Sequence, residues 1–189
     1  MDLENFKKKD SVTIVYTGDG KGKTSAALGL LVRGLGNDFK VAFIQFIKYW
    51  GVSEHIFLRD ISEIYQDTLF FYKGGKGFYN AKGLSAPNIT KKQHQEAAHE
   101  TFKVALQAVS SGEYNLVICD EINNAVHDKL LSKTDLQRLL SARNKHTSLC
   151  LTGRNFPEDL YVEIDIITNM TKVRHHFDSH FIANKGIDF

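Results

Sequence analysis

Apolar residues recur along the chain in short runs, separated by stretches whose apolar positions fall at helical spacing. The runs extend from Val12 to Tyr16, Val41 to Phe46, Leu69 to Tyr72, Leu116 to Asp120, Ser148 to Thr152 and Ile164 to Thr168. They are nearly continuous rather than alternating, as strands buried on both faces require. Strand runs that alternate with helical segments predict an α/β fold, a mostly parallel sheet with helices on both faces. After the first run, Ser25 to Arg33 carries apolar residues at helical spacing and stops at Gly34 and Gly36. From Thr90 to Ser110 the pattern is clearest: Thr90 and Gln93 form a capping pair, and Ala98, Phe102, Ala105, Leu106 and Val109 line one face. Another helix begins at Ser132, with Asp135 placed to close its cap and Leu136, Leu139 and Leu140 to bury. Residues 73–88 fit neither pattern. Gly74, Gly75, Gly77 and Gly83 are interleaved there with Phe78 and Tyr79, and so long a connection inside one domain reads as a lid.

Composition narrows the class without naming a function. At 189 residues, 42% hydrophobic and 24% charged, the chain can bury one good core, so a short segment 1–10 followed by one domain over 11–189 is expected. A net charge of +2 offers no broad basic surface and argues against nucleic acid as the main partner. No apolar stretch approaches the roughly 20 residues of a membrane span, and Met1 to Phe6 lacks the apolar core of a signal peptide. Cys119 and Cys150 both fall inside apolar runs, where a thiol acts as a small hydrophobe; a reducing, cytoplasmic setting is expected.

Candidate chemistry begins between the first strand and the first helix, at Thr17-Gly18-Asp19-Gly20-Lys21-Gly22-Lys23-Thr24. Strand, glycine-rich turn, Gly-Lys-Thr and helix together are the context of a phosphate-binding loop. Successive backbone N–H groups form an anion nest there, and the helix N-terminus adds partial positive charge. Lys23 would lie against the distal phosphates and the Thr24 hydroxyl would ligate Mg²⁺. The loop is one residue shorter than the usual pattern, with Thr17 where the first glycine belongs. Such a loop predicts a nucleoside triphosphate as ligand, seated differently from the usual case.

The run from Tyr114 to Glu121 supplies the second half of such a site. An apolar strand that ends in Asp120 and Glu121 places carboxylates at the carboxyl edge of the sheet, where Mg²⁺ is held. Their roles stay open at this point: Glu121 activates a water, or Glu121 holds the metal beside Thr24 while Asp120 orients the loop. Gln45 ends another strand facing the same crevice, either as a site residue or as a polar strand end. Arg154, after Thr152-Gly153, could aim its guanidinium at phosphate. His175 and His176, if on a strand, point to opposite faces and cannot share an ion. His94, His99 and His127 lie on predicted helices and read as solvated.

Taken together, Gly18 to Thr24, Gln45-Phe46-Ile47-Lys48, Asp120-Glu121, Thr152-Gly153-Arg154, His176-Phe177-Asp178 and Lys185 to Phe189 resemble the ATP:corrinoid adenosyltransferases of cobalamin biosynthesis and salvage, the type with a RecA-like P-loop fold. The resemblance runs nearly end to end. It implies that a Co(I) corrinoid attacks the 5′ carbon of ATP, giving the adenosylcorrinoid and releasing triphosphate. It further implies Lys23, Lys21 and Glu121 as catalytic residues, with Mg²⁺, or Mn²⁺ in its place, on Thr24 and Glu121. ATP would meet Gly18, Asp19, Gly20, Lys21, Gly22, Lys23, Thr24, Ser25, Arg33 and Arg154, with its triphosphate reversed along the loop. Family lids carry a Gly-Phe-x-Trp element; here Phe78, Tyr79 and Asn80 are the corrinoid-lid candidates, with Asn80 where the tryptophan stands. A homodimer and a flavoprotein reductase as the source of Co(I) complete what the resemblance implies. Two other classes fit the same residues: a RecA-like ATPase or small-molecule kinase with Glu121 as base, and a nucleotide- or corrinoid-binding protein without turnover.

Overall fold

Alternation of strand and helix along the chain produces one parallel sheet in a computed structural model that describes residues 6–48, 51–77, 79 and 89–188. The strands are β1 (Thr13–Thr17), β2 (Val41–Gln45), β3 (Leu69–Lys73), β4 (Leu116–Asp120), β5 (Ser148–Thr152) and β6 (Ile166–Asn169), ordered β3-β2-β4-β5-β1-β6. Every neighbouring pair is parallel. The helices are α1 (Lys23–Leu35), α2 (Ser53–Ile64), α3 (Lys91–Ser111), α4 (Ile122–His127) and α5 (Lys133–Ser141), followed by 3₁₀ turns at Glu158–Glu163 and His176–Ser179.

The strand period of two divides the core into two layers. Val15, Ala42, Ile44, Val117, Cys119, Leu149 and Leu151 face Ala98, Phe102 and Ala105 of α3, with Leu136 and Leu139 of α5. On the other face, Ile14, Val41, Phe43, Leu116, Ile118 and Cys150 meet Ala27, Leu31 and Leu35 of α1 and Leu58 of α2. All residues of β2 and β4 are buried, so these strands have no polar face, as their continuous apolar runs predict. Capping boxes close the N-termini of α3, with Thr90 and Gln93, and of α5, with Ser132 and Asp135.

Two elements differ from the sequence expectation. The helix α2 carries no side-chain cap, and its apolar positions are interrupted by charge, so the polar stretch before β3 concealed it. The last strand starts at Ile166 rather than Ile164, because Glu158–Glu163 forms a 3₁₀ turn that ends at Ile164. Before β1, Lys9 pairs with Asp165, and the Ser11 hydroxyl donates to the Lys145 carbonyl at 2.7 Å. No helix among the described residues is long and apolar enough to cross a membrane. Both cysteines are buried free thiols.

Candidate active site

Parallel strands deliver their carboxyl ends to one edge, and the ends of β1, β2, β4, β5 and β6 converge around residues 18–24. The turn after β1 lies on the chain leaving β6. Gly18 has φ 98°, and a Cβ there would come within 2.5 Å of the Met170 carbonyl oxygen. The Gly20 N–H donates to that same carbonyl at 2.6 Å. This corrects one expectation: the Gly20 N–H belongs to the loop's floor and not to an inward-facing nest. Gly22, at φ 112°, is the N-cap of α1, which leaves the first-turn N–H groups of Lys23, Thr24 and Ser25 without intrahelical acceptors. The Lys23 ammonium folds over the loop, donating to the carbonyls of Gly18 at 2.8 Å and Gly20 at 2.6 Å.

Asp120, at the end of β4, is wholly buried and surrounded by donors. Thr152 Oγ1 donates to its Oδ1 at 2.6 Å and Gln45 Nε2 to its Oδ2 at 2.7 Å, while Thr24 Oγ1 lies 3.1 and 3.2 Å from the two oxygens. Because a carboxylate only accepts, Gln45 must turn its amide N–H to Asp120 and its carbonyl to the buried His55, whose Nε2 bonds that oxygen. His55 therefore donates from Nε2, and Gln45 is a buried partner of the site and not merely a polar strand end. Of the two carboxylates, Asp120 is the one that meets Thr24.

Glu121 follows with φ 65° as the N-cap of α4. Its N–H donates to Thr152 Oγ1 at 2.9 Å, and its Oε2 accepts from Asn124 Nδ2. Burial and the neighbouring Asp120 charge push its carboxyl up to about 7, against the opposing pull of Lys48, Lys23 and Arg154. Lys23 is held below its ordinary value by burial and then by Arg154. Lys48 shows the opposite balance: burial alone would lower it, but Asp120, Glu121 and Glu54 together hold the ammonium above its ordinary value.

Several site residues were given no role by the sequence. Lys48 Nζ donates to Glu54 Oε1 at 2.7 Å, and Asn124 Oδ1 accepts from the Arg154 N–H at 2.6 Å. Lys48 closes the Gln45-Phe46-Ile47-Lys48 motif, which marked its place but gave it no role; Glu54 and His55 sit on the unread α2. Lys21 is exposed and pairs with Asp188 at 2.9 Å, whose other oxygen lies 3.5 Å from His176 Nε2. Asp19 is exposed, and its Oδ1 accepts from the Lys172 N–H at 3.1 Å, which holds its carboxyl low. The tail thus clasps the outer side of the loop. Ser25 is exposed on the first turn, and Arg154 is exposed with its charge felt at both Lys23 and Glu121.

Arg33 does not join them. It stands exposed in the last turn of α1, and a rise of 1.5 Å per residue puts it about 15 Å of helix beyond Lys23, away from the loop. Phe78 and Asn80 lie outside the described residues. Tyr79 packs edge-on against His94 at 5.6 Å, with Lys91 Nζ 5.6 Å over its ring. His94 is buried, not solvated as its helix position suggested, and that burial depresses its proton affinity; His99 and His127 are exposed. His175 caps a 3₁₀ turn that begins at His176, so the strand argument fails and the two rings lie 4.7 Å apart. No group of three or more His, Cys, Asp or Glu able to hold a metal occurs among the described residues.

Known proteins resemble this chain over nearly its whole length. The model of the family described as ATP:corrinoid adenosyltransferase BtuR/CobO/CobP matches residues 9–189. A corrinoid adenosyltransferase of Pseudomonas aeruginosa is 31% identical over 188 residues, 99% of this chain and 88% of the relative. One from Escherichia coli K12 is 27% identical, covering 94% of this chain and 85% of the relative. Among solved structures, the flagellar accessory protein FlaH from Methanocaldococcus jannaschii has a TM-score of 0.53 at 10% identity, over 87% of this chain and 73% of that one, a likeness of fold alone.

Proposed function

The chain belongs to the ATP:corrinoid adenosyltransferase family, enzymes that move the adenosyl group of ATP onto a corrinoid, and we propose that the carboxyl edge of its sheet holds the triphosphate as the leaving group of that transfer. The observation that carries this is the junction of Lys23, Thr24, Asp120 and Glu121 at one point of the edge. The cobalt of the reduced corrinoid is the nucleophile. Its electron pair forms the Co–C bond at C5′ of ATP, the C5′–O bond breaks, and the pair from that bond stays on the triphosphate oxygen. No protein side chain need give or take a proton. The protein's task is to bind the triphosphate, to neutralise charge as it leaves, and to exclude water.

Thr24 and Glu121 would hold Mg²⁺, or Mn²⁺ in its place, with Asp120 orienting Thr24. The residues fit that ion. Two adjoining carboxylates, one with its proton affinity raised by burial and then by the other, favour a bound cation, and the hydroxyl and carboxylate oxygens there are the hard donors Mg²⁺ prefers. When bound, the ion supplies charge to the departing triphosphate. Lys23, now capping loop carbonyls, would turn to phosphate oxygens; Lys21 and Arg154 would meet the outer phosphates; the N–H groups of Lys23, Thr24 and Ser25 would complete the cradle. Phe78, Tyr79 and Asn80 would cover the corrinoid. A cytoplasmic homodimer fed with Co(I) by a flavoprotein reductase follows from the family resemblance. The apolar side chains exposed on the tail, Phe177, Phe181, Ile182 and Ile187, suit a partner surface.

Incubation with ATP, Mg²⁺ and chemically reduced cobalamin tests the reading. Absorbance should report a new Co–C bond while intact triphosphate is released. No spectral change with free Co(I), or ADP and phosphate as products, overturns it.

A further inference from the structure

Lys48 is a cation inside the site to which the family motifs give no role. It lies three residues past the end of β2, its side chain only 14% exposed. Its Nζ is 2.7 Å from Glu54 Oε1, 3.4 Å from Thr24 Oγ1 and 3.9 Å from Asp120 Oδ2. Glu54 sits in the first turn of α2, where the helix dipole favours a carboxylate, and its own side chain is 13% exposed. The grip is therefore set by two largely sheltered ends and differs from a pair of mobile surface side chains.

Lysine offers three N–H donors. Glu54 takes one at a good distance; Thr24 Oγ1 is at the limit, and Asp120 is reached as a charge and not as a hydrogen bond. Donor capacity thus remains on the side of the ammonium that faces Thr24. Lys23 approaches the loop from its neighbour's position in sequence, bonded to the carbonyls of Gly18 and Gly20. Lys23 thus caps the loop from above its carbonyls while Lys48 reaches the first turn of α1 at Thr24, so the two ammonium groups approach the loop–helix junction from different elements.

We propose that Lys48, held by Glu54, is a third cation of the triphosphate pocket and donates a charge-assisted hydrogen bond to the departing triphosphate at its Thr24 end. The inference rests on the adenosyl-transfer reading of the same site. The ammonium keeps its protons throughout; it strengthens its bond as the C5′–O electron pair moves onto the triphosphate, and this makes it a catalytic residue and not only a counter-ion of Asp120.

The test uses inorganic tripolyphosphate as probe and calorimetric binding to the full chain, with and without Mn²⁺. Lys48→Met should raise the tripolyphosphate Kd roughly tenfold or more in both conditions, Lys48→Arg should restore most of it, and with free Co(I) kcat should fall further than KM for ATP rises. The double variant Lys48→Met, Glu54→Gln removes the charge pair as a unit and should bind as weakly as Lys48→Met while melting near the parent. A tripolyphosphate Kd unchanged in the folded double variant, with nucleotide-free Mn²⁺ binding tightened, overturns the inference: Lys48 is then only the counter-ion of Asp120. Lys23→Ala separates the two readings. If it abolishes tripolyphosphate binding while the Lys48 variants leave it intact, only this inference fails; if neither moves it, the phosphate site itself is wrong.

Discussion

The Asp120 carboxylate and the Thr24 hydroxyl, 96 positions apart in sequence, meet at 3.1 and 3.2 Å where the first helix begins beside β4. Thr24→Ala removes the oxygen that would face the metal but leaves Asp120 its bonds from Thr152 and Gln45. Turnover with free Co(I) should drop on the order of 100-fold with the melting temperature little changed. Asp120→Asn acts on the fold as well, since its amide nitrogen must face a donor from Thr152 or Gln45. An unmade buried bond costs ~1–3 kcal/mol, so thermal melts should separate the two variants.

His55 holds the Gln45 amide from behind, its Nε2–H on the Oε1 that the Asp120 carboxylate leaves turned away. His55→Phe keeps the bulk beside Phe71 but leaves the buried Gln45 carbonyl without its donor, so the amide is held less firmly against Asp120. Metal affinity, read by Mn²⁺ titration, should weaken several-fold more than the melting temperature explains. His55→Gln, which retains a donor, should recover it. Equal losses in both variants would mean that only packing matters there.

Glycines at the loop are required for different reasons, and substitution separates them. At Gly20 a Cβ would stand 2.6 Å from the Met170 carbonyl, so Gly20→Ala should push the loop from its floor, lowering both the melting temperature and ATP affinity. Gly22 has room, with nothing nearer than Met170 Sδ at 3.7 Å, but its φ of 112° makes Gly22→Ala a strain of roughly 1–2 kcal/mol. Gly29, inside α1 with nothing within 4 Å, should gain up to ~1 kcal/mol as alanine. Melts of the three proteins should therefore fall on both sides of the parent.

Period and punctuation made the frame legible in sequence. Continuous apolar runs marked β2 and β4 because both their faces are covered, and the Thr90 and Ser132 caps announced α3 and α5. The phosphate loop was legible because glycine, lysine and threonine at that spacing admit few other uses. What stayed hidden was set by long-range contact. Nothing local in sequence says that Gly20 spends its N–H on Met170, that His55 backs Gln45, or that Glu54 grips Lys48. The buried His94 misled for the same reason: its shelter comes partly from Tyr79, fifteen positions away. Arg33 failed because nearness in sequence to the loop is not nearness in space once a helix runs straight from it.

Lys21 and Asp188 join the loop to the tail at 2.9 Å, with the lysine side chain 42% exposed. With its lysine end open to solvent the pair is screened, so Asp188→Asn should leave the melt nearly unmoved. Its effect should appear in substrate binding, because Asp188 holds Lys21 at the loop. Lys21→Ala and Asp188→Asn should each raise KM for ATP several-fold, and the double variant should be no worse than Lys21→Ala alone. Additive losses would show that the tail acts on ATP by another route.

Glu121 gives the site a pH dependence whose sign follows from its raised proton affinity. Its carboxyl titrates at about 7 in the folded chain, through burial and the Asp120 charge, against about 4.3 when unfolded. Between these values the folded state binds the extra proton. The stability this group contributes is therefore full below about 4.3 and is lost as pH rises through about 7. Divalent metal requires the opposite form, the carboxylate, and must displace that proton. Mn²⁺ affinity of the nucleotide-free protein should thus climb as pH rises through about 7, just where metal-free stability declines. Glu121→Gln should flatten both curves, weakening Mn²⁺ binding at every pH while removing its share of the fall in stability. Mn²⁺ titrations and urea melts at matched pH values measure the two together. A Mn²⁺ affinity that stays flat across this range in the parent protein would place the metal away from Glu121, leaving Thr24 and Asp120 to hold it.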